Sequence, residues 1–219
     1  MTSENSGLTD SQMREPLFDY LEEFYGKIRI FEEKNAGASR ADVIGVIDGA
    51  LLGFEIKSDR DSYTRLKTQT RDYDDFCDIN FLVVGKSHVK HAHEHIPGHW
   101  GIIVIWESED GQIQVEMDQL PAPNHKVSAA NQLHFLWRPE LARMQEMNDL
   151  PVYKARSKQF VQQKILERIP EEVLKRQITD LLFERDYQEL LGEIAQVRSE
   201  RGAKENRNPG KKKRRHRHR

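Results

Sequence analysis

The sequence predicts an α/β protein, with a mixed central sheet flanked by helices and a helical extension after it. Three observations predict this. Asp48-Gly49 lies between two apolar runs, the strongest short-range signal for a two-residue hairpin. Strand-like and helix-like stretches then alternate to about residue 118, with antiparallel strands first and helix-joined strands later. Beyond LPAPNHK (residues 120–126) the periodicity turns helical.

The elements follow in order. Leu8 to Phe24 reads as an amphipathic helix, with Thr9 or Asp10 as cap and Gly26 as stop; Pro16 predicts a kink or a later start. KIRIFEE, residues 27–33, is a short strand, and Arg40 to Lys57 is the hairpin. Ser58-Asp59-Arg60-Asp61 offers caps for a helix from about Ser62 to Phe76. INFLVVG (79–85) and GIIVIW (101–106) are nearly continuous apolar runs, as expected of strands buried on both faces. Between them His88 to His95 reads as a short polar helix ended by Pro97-Gly98, and Gln112 to Met117 as an edge strand. Helices are expected at about Asn131–Met147, Ser157–Ile169 and Glu171–Glu184, with a weaker stretch to Arg198. The domain reading is therefore a core over residues 1–119, a linker over 120–130, a helical extension over 131–199 and a disordered basic tail over 200–219.

Composition narrows the function classes. The chain has 219 residues, 32% of them charged, and no apolar run of bilayer-spanning length. MTSENSGLTD at the start is polar and acidic, unlike a secretory leader. The single Cys77 excludes an internal disulfide framework, and a cytoplasmic location is expected. The net charge of −2 hides an asymmetry: residues 211–219, KKKRRHRHR, hold seven Lys or Arg, leaving −9 over residues 1–210 (27 basic against 36 acidic). Lys211, Lys212, Lys213, Arg214 and Arg215 are thus candidates for sequence-independent attraction to nucleic acid.

Counting outward from the Asp48-Gly49 turn pairs Ile47 with Ala50, Val46 with Leu51, Ile44 with Gly53 and Asp42 with Glu55. Two carboxylates then face each other, and Lys57 shares their face because side chains alternate with period two. Directly opposed like charges destabilise a sheet unless a cation lies between them. A few hard oxygen ligands with room for water and phosphate suit Mg²⁺. Gln69 and Tyr73, spaced i, i+4, fall on one face of the following helix and are candidates to contact a phosphate or orient water. Glu32 and Glu33, at the end of the preceding strand, are the candidates for a third acid, one pointing toward the carboxylate face and the other away; parity places Glu32 on the side of Ile28 and Ile30 without fixing which face that is.

The order of an acid, Arg40-Ala41-Asp42, Glu55-Ile56-Lys57 and Gln69-x-x-x-Tyr73 resembles the PD-(D/E)XK superfamily, whose fold is restriction-endonuclease-like. GFEIKSDRDSYTRLKTQTRDYDDF and LHFLWRPEL resemble an uncharacterised bacterial and phage subgroup within it, over about residues 15–185. Ala41 stands where the superfamily carries proline, a departure many members share. The resemblance implies a metal-dependent nuclease acting on phosphodiester bonds, with DNA as the expected substrate. It also implies Mg²⁺ as cofactor, with Mn²⁺ as a substitute, held by Asp42, Glu55, the Ile56 carbonyl and Glu32, and it makes Lys57 the catalytic lysine. Many members dimerise, so a homodimer is among the expectations. The alternative reading is a non-catalytic nucleic-acid-binding or complex-assembly protein on the same fold.

Other features weigh less. His91 and His95, at i, i+4 in HVKHAHEHIPGH, have metal-ligand spacing but lack a third partner. Trp137 reads as a helix anchor or a base-stacking side chain. Arg138, Arg143, Lys154, Arg156, Lys158 and Lys164 are interspersed with acids, as on an ordinary mixed surface.

Overall fold

A computed structural model describes residues 7–37, 39–186, 191–192 and 194–196. Six strands form one mixed sheet in the order of the chain: β1 (Arg29–Ala36), β2 (Ser39–Ile47), β3 (Ala50–Lys57), β4 (Ile79–Gly85), β5 (Gly101–Glu107) and β6 (Ile113–Gln119). β1, β2 and β3 run antiparallel, β3, β4 and β5 parallel, and β6 antiparallel at the far edge. The hairpin register is the one counted from the turn: Ile47 faces Ala50, Val46 faces Leu51 and Ile44 faces Gly53. Gly49, at φ 73°, supplies the left-handed turn position that a side chain would strain.

Two layers cover the sheet. On one side lies α1 (Asp10–Tyr25), whose Met13, Leu17 and Leu21 recur every four residues and pack on Leu52, Phe54, Phe81 and Ile103. The helix runs through Pro16, and the Gln12 side chain accepts the Thr9 amide at 2.9 Å at its start. On the other side α2 (Leu66–Phe76) lies against Leu51, Leu82 and Trp100. The C-terminal helices join that same side. They are α4 (Ala129–Gln132), α5 (Arg138–Met147), α6 (Lys158–Arg168) and α7 (Glu171–Phe183). The short α3 (Val89–Ala92) follows β4.

The helix expected over Asn131–Met147 is instead broken into α4, a 3₁₀ turn at Leu133–Phe135, and α5. Leu136 and Trp137 adopt extended backbone, and Pro139 opens α5 in the first helical turn, where its missing N–H costs nothing. The stretch expected as a linker is pinned to the end of α2 and to the loop before β5. The Asn124 amide group donates to the Asp74 and Cys77 carbonyls at 2.7 and 2.8 Å, and the Ala122 amide to His99 at 2.9 Å. The helices also share the sheet's own apolar cluster, through Leu133, Leu141, Val161, Ile165, Ile178 and Leu182. A buried ion pair ties them further: Arg185 donates to both Glu140 oxygens at 2.7 Å and to the Phe135 carbonyl at 2.7 Å. The basic tail lies outside the described residues. Among the described residues no helix is long and apolar enough to cross a membrane.

Candidate active site

The carboxylate pair forms where the β2–β3 ladder runs out. The ladder ends at Val43↔Phe54; Asp42 and Glu55 are the residues one step beyond it, and here the Asp42 carboxylate accepts the Ile56 amide at 2.9 Å. Asp42 is half-buried; Glu55 is 0% and Lys57 6% exposed. Glu55 Oε1 takes the Lys57 ammonium and the Gln69 side-chain amide. Glu55 Oε2 and Gln69 Oε1 are buried with no donor. Buried acceptors without a donor are costly.

Electrostatics agree with this. Burial, reinforced by the Asp42 charge, pushes the Glu55 carboxyl up to about 7, with Lys57 pulling the other way. Burial also pushes Asp42 up, against the Ile56 amide and Lys57. Burial thus makes both acids harder to ionise than exposed carboxyls, with Lys57 opposing the shift at each.

Tyr73 plays a different part from the one its spacing suggests. It is fully buried, and its hydroxyl donates to the Phe54 carbonyl at 2.9 Å and accepts the Asp42 amide at 2.9 Å. It therefore fixes the backbone beneath the carboxylates and does not reach toward a phosphate. Gly53 makes room for it: a Cβ there would lie 2.4 Å from the Tyr73 ring and 2.6 Å from Asn80 Oδ1. Gln69, by contrast, touches the site directly through Glu55.

Glu32 is not brought to the pair. Ile28 and Ile30 pack with the α1 cluster, whereas Ile44 and Leu51, in phase with Asp42 and Glu55, pack on the opposite side. Glu32 instead meets Arg14 of α1 at 2.7 Å. Arg14 also binds Asp10 at 2.7 Å and Glu33 at 2.9 Å, and it reaches the Asp42 carbonyl at 3.4 Å. Glu33, at φ 55°, interrupts the β1–β2 ladder opposite Asp42, a backbone state that costs about 1–3 kcal/mol outside glycine. Sequence reasoning missed Arg14, because an ion pair spanning eighteen residues leaves no local period. Among the described residues no group of three or more His, Cys, Asp or Glu is gathered as a metal site. The acids at the end of this ladder are thus Asp42 and Glu55.

Of the remaining candidates, His91 pairs with Glu94 at 2.9 Å and the His95 ring lies 4.2 Å from that of Tyr63. Trp137 caps α5 beneath the Arg185 guanidinium, 5.4 Å from its ring centre, the anchoring role. Lys211, Lys212, Lys213, Arg214 and Arg215 lie outside the described residues.

Fold and site together define an α/β protein whose mixed sheet carries a buried glutamate, Glu55, beside a half-buried aspartate, Asp42, and a lysine, Lys57. The chain belongs to the family described as bacteriophage P4 protein cII, which matches residues 27–201. That match covers the whole sheet and begins just after α1. A solved structure of a protein of unknown function from Silicibacter pomeroyi is similar, with a TM-score of 0.39 and 22% identity, over 57% of this chain and 82% of that one. No curated protein matches.

Proposed function

We infer that the protein is a metal-dependent nuclease that hydrolyses phosphodiester bonds, with DNA the expected substrate and the cytoplasm the expected location. One observation carries the reading: a fully buried Glu55, opposite Asp42 and beside Lys57, has an oxygen without a donor. A structural carboxylate buried this deeply would be expected to have its lone pairs filled.

Asp42, Glu55 and the Ile56 carbonyl fit a small hard cation, and water or phosphate oxygens would complete its shell. Mg²⁺, or Mn²⁺ in its place, would supply Lewis-acid neutralisation of a phosphate oxygen and a lowered pKa for bound water. Lys57 orients the attacking water or stabilises the negative charge that develops on the phosphate. Gln69 holds Glu55 in place, and Tyr73 holds the Asp42 backbone.

The test is a panel of labelled single-stranded, duplex, flap, four-way-junction and RNA substrates, each with Mg²⁺, Mn²⁺ or EDTA. Metal-dependent cutting that Glu55→Ala and Lys57→Ala both abolish is the expected result. Salt-sensitive binding without cutting, unchanged in Glu55→Ala, would replace this reading with a non-catalytic binding protein.

A further inference from the structure

The two sides of the carboxylate pair are electrically unlike. On the β1 side stand Asp10, Glu32 and Glu33, gathered on Arg14. On the α2 side Arg60 and Arg65 share a stretch of chain with Asp59 and Asp61, whose carboxylates are taken up by Ser87 and Ser58. Arg60 and Arg65 are exposed, and among the described residues neither has an ion-pair partner.

Arg65 is placed by helix geometry. Its carbonyl accepts the Gln69 amide at 3.1 Å, so the helical turn already includes it, and residues four apart stack on one side of a helix. Gln69 of that stripe touches Glu55. Arg65 therefore stands one turn, about 5 Å, outward from the residue that contacts the carboxylates. Arg60 sits in the turn that follows Lys57, where Asp61 accepts the Ser58 amide at 2.9 Å. Asp59 in the same turn accepts the Ser87 amide at 2.9 Å, which fastens this loop to the end of β4. Both guanidinium groups thus come from anchored backbone beside the site.

We propose that Arg65, assisted by Arg60, is a phosphate-binding residue that holds a nucleic-acid strand by a phosphodiester neighbouring the one at Asp42 and Glu55. This rests on the nuclease reading for what happens at the carboxylates, but the binding itself does not need catalysis. Guanidinium is the group suited to it, being always charged and able to grip a phosphate with two parallel donors.

The same helix provides a control. Arg71 is exposed and without an ion-pair partner among the described residues, but it points to the other flank of α2, about 120° round from Arg65. The experiment measures anisotropy of a labelled oligodeoxynucleotide with the full chain, in a Glu55→Gln background with Mg²⁺, across a salt series. Arg65→Ala is expected to weaken binding roughly fivefold or more and to lower the salt slope by about one. Arg65→Lys should keep the slope but recover only part of the affinity, and Arg71→Ala should change affinity less than twofold. Equal losses in Arg65→Ala and Arg71→Ala, no loss in either, or no binding by the parent would overturn the proposal. Wild-type cleavage with binding indifferent to Arg65 would sink it and leave the nuclease reading intact. Selective loss in Arg65→Ala without cleavage under any metal would do the reverse.

Discussion

The Asp42 amide donates to the Tyr73 hydroxyl at 2.9 Å, so a residue of α2 holds the backbone of the carboxylate it underlies. The same hydroxyl donates to Phe54, one residue before Glu55. One oxygen thus clamps both strands where their own ladder ends. Tyr73→Phe takes this partner from the Asp42 amide and one bond from the Phe54 carbonyl, at a cost of about 1–3 kcal/mol. Urea denaturation should show the loss. Cleavage should fall while the dependence on metal concentration shifts, since Asp42 loses its support. An unchanged midpoint would remove the clamp from the account.

Gly53 leads to a second expectation. A methyl group there meets the Tyr73 ring and Asn80, neither of which is the free end of a flexible chain. Gly53→Ala should destabilise by about 1–3 kcal/mol, as overpacking does. Combining it with Tyr73→Phe should not relieve the clash, because the ring remains.

The raised Glu55 carboxyl makes stability depend on pH. Its folded value of about 7 lies above the 4.5 of an unperturbed glutamate, so between those values the folded chain holds the extra proton. That contribution to stability is fully present below about 4.5 and is lost as pH rises through 7, up to about 3 kcal/mol in all. In EDTA, the stability of the wild type relative to Glu55→Gln should therefore decline from pH 5 to pH 8. Metal should reverse the trend, because ionised Glu55 then has a partner. Mg²⁺ should raise the melting temperature more at pH 8 than at pH 6, and Asp42→Ala should abolish the gain. A flat difference across that range would contradict the burial argument.

The Arg185–Glu140 pair predicts how the helical extension unfolds. Both groups are nearly inaccessible, at 3% and 1% side-chain exposure. Arg185→Ala strands a buried carboxylate and should cost about 3–5 kcal/mol, whereas replacing both partners by apolar residues should cost much less. Because α4 to α7 share the sheet's cluster, the loss should appear in one unfolding transition. Two separated transitions would show instead that the extension folds apart.

Legibility in the sequence followed the range of the interaction. Asp48-Gly49 and the alternation around it were enough to give the β2–β3 register as far as Val43↔Phe54, one step short of Asp42 and Glu55, and the apolar run at Ile79–Gly85 bounded β4 as observed. The Gln69–Tyr73 spacing placed both on the right helix, but it could not tell a ligand-facing hydroxyl from one spent on the strand backbone. Parity grouped Glu32 with Ile28 and Ile30; which layer covered them depended on α1, a helix remote in sequence. The break at Leu136 and Trp137 was masked because apolar spacing continues across it, although Pro139 was the signal that a new helix begins there. Segment 120–126 read as polar and loose because its anchors, Asp74 and Cys77, are some fifty residues away.

Each strand lies beside the one synthesised just before it. A chain leaving the ribosome can therefore enlarge the sheet from one edge, with no gap kept open for a later arrival and no strand threaded between two already paired. Vectorial growth of this kind suits N-to-C emergence. It also sets an order of maturation. The carboxylates meet as soon as β3 turns back on β2, Tyr73 clamps them about twenty residues later, and the face beneath α4 to α7 waits uncovered until synthesis has passed Phe183. During that interval the nascent protein presents this greasy face, and the last helices act as its built-in cover.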